Sequence, residues 1–359
     1  MKQQRVQKVI SNMEKMGLDQ ILITDPISIY YLTGSHTDPG ERFYALNIDK
    51  NGECRLFANN LFSIPEIDGM ELIYHSDAVS FMPQLEKYID SSSALGVDKN
   101  MAARFLVPLM DKGLAGGFKL GSVCVDSARA AKDEEERELM RAASRINDAA
   151  MARFRGLIEG GITERELASQ IEGIYKELGA DGCSFEPIVG FGANSIDGHH
   201  VPDDTVLKEG DAVLLDVGCK KDMYCADMTR VFFYKREPDE EVKKIYALAK
   251  QATETAESIC APGAVFADID NAARSIIENA GYGHTFVHRA GHFIGLEVHD
   301  FGDVSALNKS QAVPGNIFSI EPSIFAAGKA KVYIEDLVLI TEDGKEILNK
   351  FSHELEVVE

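Results

Sequence analysis

Val6, Val9, Ile10, Met13 and Met16 recur at helical spacing, so the chain is expected to open with an amphipathic helix that Gly17 ends. A short strand is expected over 20–24, after which Asp25 and Pro26 supply an N-cap and first helical residue for a helix over 27–32. Residues 43–48 and 54–58, joined across Lys50-Asn51-Gly52, predict a hairpin. Strands over 71–74 and 94–97 then alternate with helices over 81–89 and 103–114, which predicts a compact α/β unit of about 120 residues.

A boundary is expected at 126–132. Beyond it a charged helix covers 133–158, and Thr163 with Glu166 forms a capping box for a helix running to Gly179. Residues 185–191, 212–217 and 226–234 have strand character, with 219–224 as the turn between the last two. Pro238 is expected to begin a long helix with Asp239, Glu240 and Glu241 in its first turn, where the helix dipole favours acids. Its inner face, with Ala249, Ala252 and Ala256, is small enough to lie close against a sheet. A helix over 267–280, strands over 316–325 and 331–341, and a hairpin at Glu342-Asp343-Gly344 complete the pattern.

A length of 359 residues exceeds one ordinary core and predicts two domains, 1–125 and 126–359. The formal charge of −21 argues against a nucleic-acid or anionic-membrane partner. Six cysteines without a C-x-x-C pair point to free thiols in a reducing compartment. The first residues lack the apolar block of a signal peptide, and no apolar run approaches the ~20 residues needed to span a bilayer, so a cytoplasmic location is expected.

Acidic residues interrupt the apolar strands of the second half: Asp216 in L-L-D-V-G, Asp227 in A-D-M-T-R, Glu321 in I-E-P-S and Glu335 in Y-I-E-D. His292 stands among them in A-G-H-F-I-G. One such acid would be read as an exposed group on an edge strand. Four buried together would repel one another at a large desolvation cost, and two divalent cations would cancel their charge. The oxygen-rich set suits a cation pair better than a lone structural zinc.

These motifs, with H-R-A-G-H-F-I-G-L-E-V-H-D between them, resemble the dinuclear pita-bread metallopeptidases, a superfamily holding methionine aminopeptidase, aminopeptidase P and prolidase. The likeness covers the whole chain; Y-L-T-G at 31–34 and D-P-G-E-R at 38–42 are most similar to small bacterial prolidases. It implies an α+β architecture, a pita-bread catalytic domain preceded by a smaller α/β creatinase-type domain. By the same resemblance Asp227 and Glu335 bridge two metals, Asp216 completes one site, and His292 with Glu321 completes the other. The metals would share a water with a pKa near ~7, and hydroxide from it would attack the peptide bond. Glu321 would shuttle the proton, His199 would contact substrate, His299 would stabilise the tetrahedral intermediate, and His288 would wall a proline pocket. Arg289 would face the substrate's N-terminal side chain or pair with Asp38 from a partner subunit's loop. His200 is expected to be structural, pairing a backbone carbonyl. Mn(II) or Co(II) fits the ligand set best, with Zn(II) and Fe(II) as the other options.

The chain departs from the pattern at Tyr333, where proline-specific members carry arginine, at Phe325 in place of tyrosine, at Phe293 in place of glycine, and at Gly40 in place of histidine. Tyr333 is a candidate substrate contact and a replacement for the phenol lost at 325. The expected activity is hydrolysis of Xaa-Pro dipeptides by a homodimer. The alternatives are an aminopeptidase P acting on longer peptides with proline second, a metal-free C–N hydrolase of the creatinase type, and a non-catalytic or altered-specificity member.

Overall fold

A computed structural model describes residues 1–359. The chain divides at Arg129–Ala130 into two compact units.

In the first unit Asp25 caps the helix Pro26–Thr33 by accepting from the Ser28 amide, as the Asp-Pro pair requires. The unit is built on one mixed six-stranded sheet, with the strands in the spatial order Glu71–His75, Cys54–Asn59, Ala45–Asp49, Gln20–Ile23, Ala94–Val97 and Gly117–Leu120. The helix expected over 81–89 is confined to Met82–Leu85, where Leu85 alone is buried. The strand Gly117–Leu120 and the helix Ser122–Ala130 were not anticipated. The helix buries Ser122, Asp126 and Arg129 beside Cys124 and Val125, which erases the polar–apolar contrast that marks a helix in sequence.

The second unit opens with the helix Glu134–Arg155, whose Asp133 N-cap and Glu136 form a reciprocal capping box. Thr163 and Glu166 repeat the arrangement for Glu164–Glu177. Its principal sheet orders Glu356–Val358, Met228–Tyr234, Ala212–Val217 and Ile188–Phe191. Strand alternation puts Leu214, Val231 and Phe233 against the helices Glu240–Ser258 and Phe266–Asn279. Val213, Leu215 and Phe232 pack instead with Met151, Phe154 and Ile171 of the two earlier helices. Ala249, Ala252 and Ala256 are fully buried, as the small-residue face predicts. Asp239, not Pro238, sets the start of that long helix: its carboxylate accepts from the amides of Glu241 and Val242.

The two long strands expected at the C-terminal end are each broken at the acid. Ile317–Ile320 pairs with Asp336–Ile340, and Ser323–Ala326 pairs with Ala330–Tyr333, so that Glu321-Pro322 and Ile334-Glu335 fall between the two ladders. Pro322 has no amide to donate, and the chain changes sheets there. Asp227 likewise sits just before Met228–Tyr234, leaving Asp216 as the one acid of the four inside a strand. The segment expected as a turn over 219–224 forms its own hairpin, with Lys221 paired to Tyr224. All six cysteines are free thiols. No helix is long and apolar enough to cross a membrane.

Candidate metal centre

Asp216 stands opposite Thr229 in the register of Ala212–Val217 with Met228–Tyr234, on the face that continues Ala212 and Leu214. His292 is delivered by Gly291–His292, which can approach the next strand because position 291 is glycine. A Cβ there would lie 1.8 Å from the Ser319 carbonyl oxygen, an impossible contact. Glu321 and Glu335 follow from the ladder breaks. The result is convergence: His292 Nε2 lies 3.6 Å from Asp227 Oδ2, 3.6 Å from Glu321 Oε1 and 3.8 Å from Glu335 Oε1.

None of these is an ordinary surface acid. Asp216, Asp227, His292 and Glu335 are all buried, and Glu321 keeps 19% of its side chain open. Burial pushes the Asp216 carboxyl up to about 6 although Tyr333 donates a hydrogen bond to it. Burial and the Asp216 charge raise Glu321 to about 7. Asp227 and Glu335 are driven well above the carboxylate range by burial and by their acidic neighbours. His292 is held down to about 3 by burial and the adjacent His299 ring, so it is neutral. Its Nδ1 donates to the Phe293 carbonyl at 3.2 Å, which leaves the Nε2 lone pair facing the carboxylates. Asp227 Oδ1 is buried without a hydrogen-bond partner. Converging carboxylate and imidazole lone pairs form a donor set suited to divalent cations, and three of the five groups, Asp227, His292 and Glu335, have ligand atoms within 4.8 Å of one another.

Hydroxyls and a buried cation hold the acids from outside. Thr229 Oγ1 donates to Glu335 Oε2 at 2.8 Å, and Ser319 Oγ donates to Glu321 Oε1 at 3.3 Å. The Arg230 guanidinium donates to the Glu335 carbonyl at 2.8 Å and to Asp336 Oδ1 at 2.7 Å, and His353 Nε2 lies 2.5 Å from Asp336 Oδ2. Thr229, Arg230 and Asp336 belong to the quoted motifs, yet sequence reasoning gave them no role.

The four acids and the imidazole line a cavity of about 980 Å³ with His199, His288, Arg289, His299 and Tyr333. His288 is fixed between Ser323 Oγ and the Arg289 carbonyl, each at 2.7 Å, and burial lowers its pKa to about 4. His299 is exposed and sets its ring edge-on to His292 with centroids 4.4 Å apart. His199 is exposed, its amide donating to Asp197 Oδ1 at 2.9 Å. Arg289 is exposed. Asp38 belongs to the first unit, where its carboxylate accepts from the Gly40 amide. His200 pairs not with a backbone carbonyl but with the fully buried Glu164, at 2.6 Å. Glu164 also accepts from the amides of Phe191 and Asp203 and from Asn194, tying both ends of the loop that carries His199 to one helix N-terminus. Neither Glu164, which follows its capping neighbour Thr163, nor Lys331, which also lines the cavity, received a role from sequence reasoning.

Residues 138–342 match the model of metallopeptidase family M24, and residues 5–129 match the creatinase/prolidase N-terminal domain. An uncharacterized peptidase of Staphylococcus aureus is 32% identical, covering 97% of this chain and 99% of its own. Among solved structures, a prolidase from Thermococcus sibiricus superposes with a TM-score of 0.93 at 33% identity, covering 99% of both chains. An Xaa-Pro dipeptidase from Bacillus anthracis gives 0.90 at 26% identity over 99% of this chain and 100% of its own. With the buried acids and neutral imidazole already in place, these matches make the chain a metallopeptidase of family M24, with a pita-bread catalytic region behind a creatinase-type N-terminal domain.

Proposed function

We propose that this metallopeptidase hydrolyses Xaa-Pro peptide bonds, acting on dipeptides, with two divalent cations held by Asp216, Asp227, His292, Glu321 and Glu335. The observation that carries the reading is the meeting of His292 Nε2 with three carboxylates inside one cavity. The likeness to a prolidase and an Xaa-Pro dipeptidase over nearly the full chain supports the choice of substrate. When bound, the cations supply Lewis acidity and an ionised water.

The chain's own residues supply the rest. Glu321 is the acid most open to the cavity, which suits it to take a proton from water and pass it to the leaving nitrogen. His299 and His199 line the same cavity and can donate to the oxygen that gains charge as the carbonyl is attacked. His288, kept neutral, stands with Phe185, Pro187 and Ile188 on the cavity lining, an apolar wall suited to a proline ring. Tyr333 reads as a support for Asp216 in addition to a substrate contact, since its hydroxyl is committed to that carboxylate. Mn(II) or Co(II), a homodimeric assembly and a cytoplasmic setting complete the reading.

The deciding measurement is turnover of Leu-Pro and Leu-Pro-Pro by purified protein, before and after exhaustive chelation and after reloading with Mn(II) or Co(II). Metal-dependent cleavage of the dipeptide is expected. Efficient cleavage of the tripeptide would move the activity to the aminopeptidase class, and full activity after chelation would remove the metals from the reaction. Failure on every Xaa-Pro peptide with metal restored would end the reading.

A further inference from the structure

Lys331 and Tyr333 alternate along Ala330–Tyr333, and both line the cavity that holds the acids. The Lys331 amide donates to Ser195 Oγ at 3.2 Å, and that hydroxyl donates to the Gly192 carbonyl at 2.6 Å, so the strand is tied to the loop leading to His199. The ammonium lies over the Tyr333 ring, 4.7 Å from its centroid. It also lies 3.0 Å from where a Cβ would stand on Gly198; the glycine leaves the room it occupies. Half-buried, Lys331 makes no ion pair and donates no side-chain hydrogen bond.

The other cations on the cavity lining are differently placed. Arg165 is paired with Asp204 at 2.8 Å, and Arg289 is exposed and solvated. Burial lowers the Lys331 pKa, while the charges of Asp216, Glu321, Asp197 and Glu335 pull it back up. Once divalent cations neutralise Asp216, Glu321 and Glu335, a partly desolvated ammonium remains on the cavity wall with no ion pair and only the exposed Asp197 charge to offset it, an unfavourable state unless the ligand brings a counter-charge.

We propose that Lys331 is the counter-charge for a carboxylate of the bound peptide, and so selects short peptides that place an anionic group beside the Tyr333 ring. The inference rests on the peptidase reading above. Two sources share this chemistry: the free C-terminal carboxylate of a dipeptide, and an acidic side chain next to the scissile bond.

The test compares metal-loaded wild type, Lys331→Met, Lys331→Arg and Arg289→Met on matched substrates. Leu-Pro against Leu-Pro amide, and Leu-Leu against Leu-Leu amide, report on the terminal carboxylate; Glu-Pro amide against Gln-Pro amide reports on the side chain. In Lys331→Met the ratio of kcat/KM for the charged over the neutral member of one pair is expected to fall about 30-fold or more, through KM, with Lys331→Arg restoring most of it. The pair that responds identifies the source. Calorimetric binding of proline and prolinamide gives a readout independent of turnover: wild type prefers proline, and Lys331→Met loses that preference if the terminal carboxylate is the partner. Cleavage of the Leu-Leu pair without any Xaa-Pro turnover would overturn the proline reading while still judging Lys331. Equal losses on charged and neutral members, no change of ratio in any pair, or a ratio that follows Arg289→Met instead would overturn the inference. Without turnover of any substrate, wild type that distinguishes neither proline from prolinamide nor Glu-Pro amide from Gln-Pro amide in calorimetric binding would do the same.

Discussion

The Thr229 hydroxyl donates to Glu335 Oε2 at 2.8 Å while the Glu335 amide donates back to the Thr229 carbonyl at 3.3 Å, so the proposed ligand and its neighbour fix each other. Thr229 is fully buried, and Thr229→Val keeps its shape while removing the donor. Loss of such a partner is expected to weaken metal binding about 10- to 100-fold, read by titrating metal into the stripped protein. Unchanged affinity would show that the hydroxyl serves packing alone. At this scale the sequence was legible where chemistry is concentrated: the four acids and His292 were named from their motifs, and all five line one cavity. It was silent on Glu164 and Lys331. A carboxylate beside a capping threonine and a lysine at a strand end are common, and their meaning comes from partners far along the chain.

Elements deliver these side chains by interruption. A continuous strand over 316–325 would send alternate residues to opposite faces, whereas the observed break lets Glu321 and Glu335 leave the ladder between Ile320↔Asp336 and Ser323↔Tyr333. Apolar runs flanking each acid made the segments look unbroken in sequence, because hydrophobic periodicity does not report which sheet a half-strand joins. Two consequences can be measured. Gly291→Ala would force a Cβ into the Ser319 carbonyl, so His292 must shift; metal binding should be largely lost while the circular dichroism stays close to wild type. Arg230 and Asp336 are both about fully buried, joined at 2.7 Å, and Arg230 also donates to the Phe351 and Ser352 carbonyls. Arg230→Leu leaves Asp336 with its guanidinium partner removed and is expected to cost about 3–5 kcal/mol, read by denaturant unfolding of the metal-free protein. A loss below about 1 kcal/mol would mean that His353 alone satisfies the carboxylate.

Across the second unit, acid repulsion couples stability to metal and pH. Asp216 and Glu321 titrate at about 6 and about 7 in the folded chain, above the ordinary carboxylate values of ~4, so the folded protein keeps protons that the unfolded chain has already lost. Metal-free stability from these groups therefore falls as pH rises from ~4 through about 7. Cations must displace the same protons, so they bind more weakly at the acid end. The rise in Tm on adding Mn(II) should thus be larger at pH 8 than at pH 5.5; an equal or inverted response would show that these acids do not hold the metal. What the sequence by itself determined was local or compositional: the caps at Asp25 and Thr163, the small-residue face of the long helix, and the identity of the acids and histidine. Only the tertiary structure decided where the strands break, that His200 clamps Glu164, and that Lys331 stands in the cavity without an ion pair. Caps and periodicity are set by neighbours within a turn or two of chain, whereas convergence depends on pairings between residues more than a hundred positions apart, such as Thr229 with Glu335 and Tyr333 with Asp216.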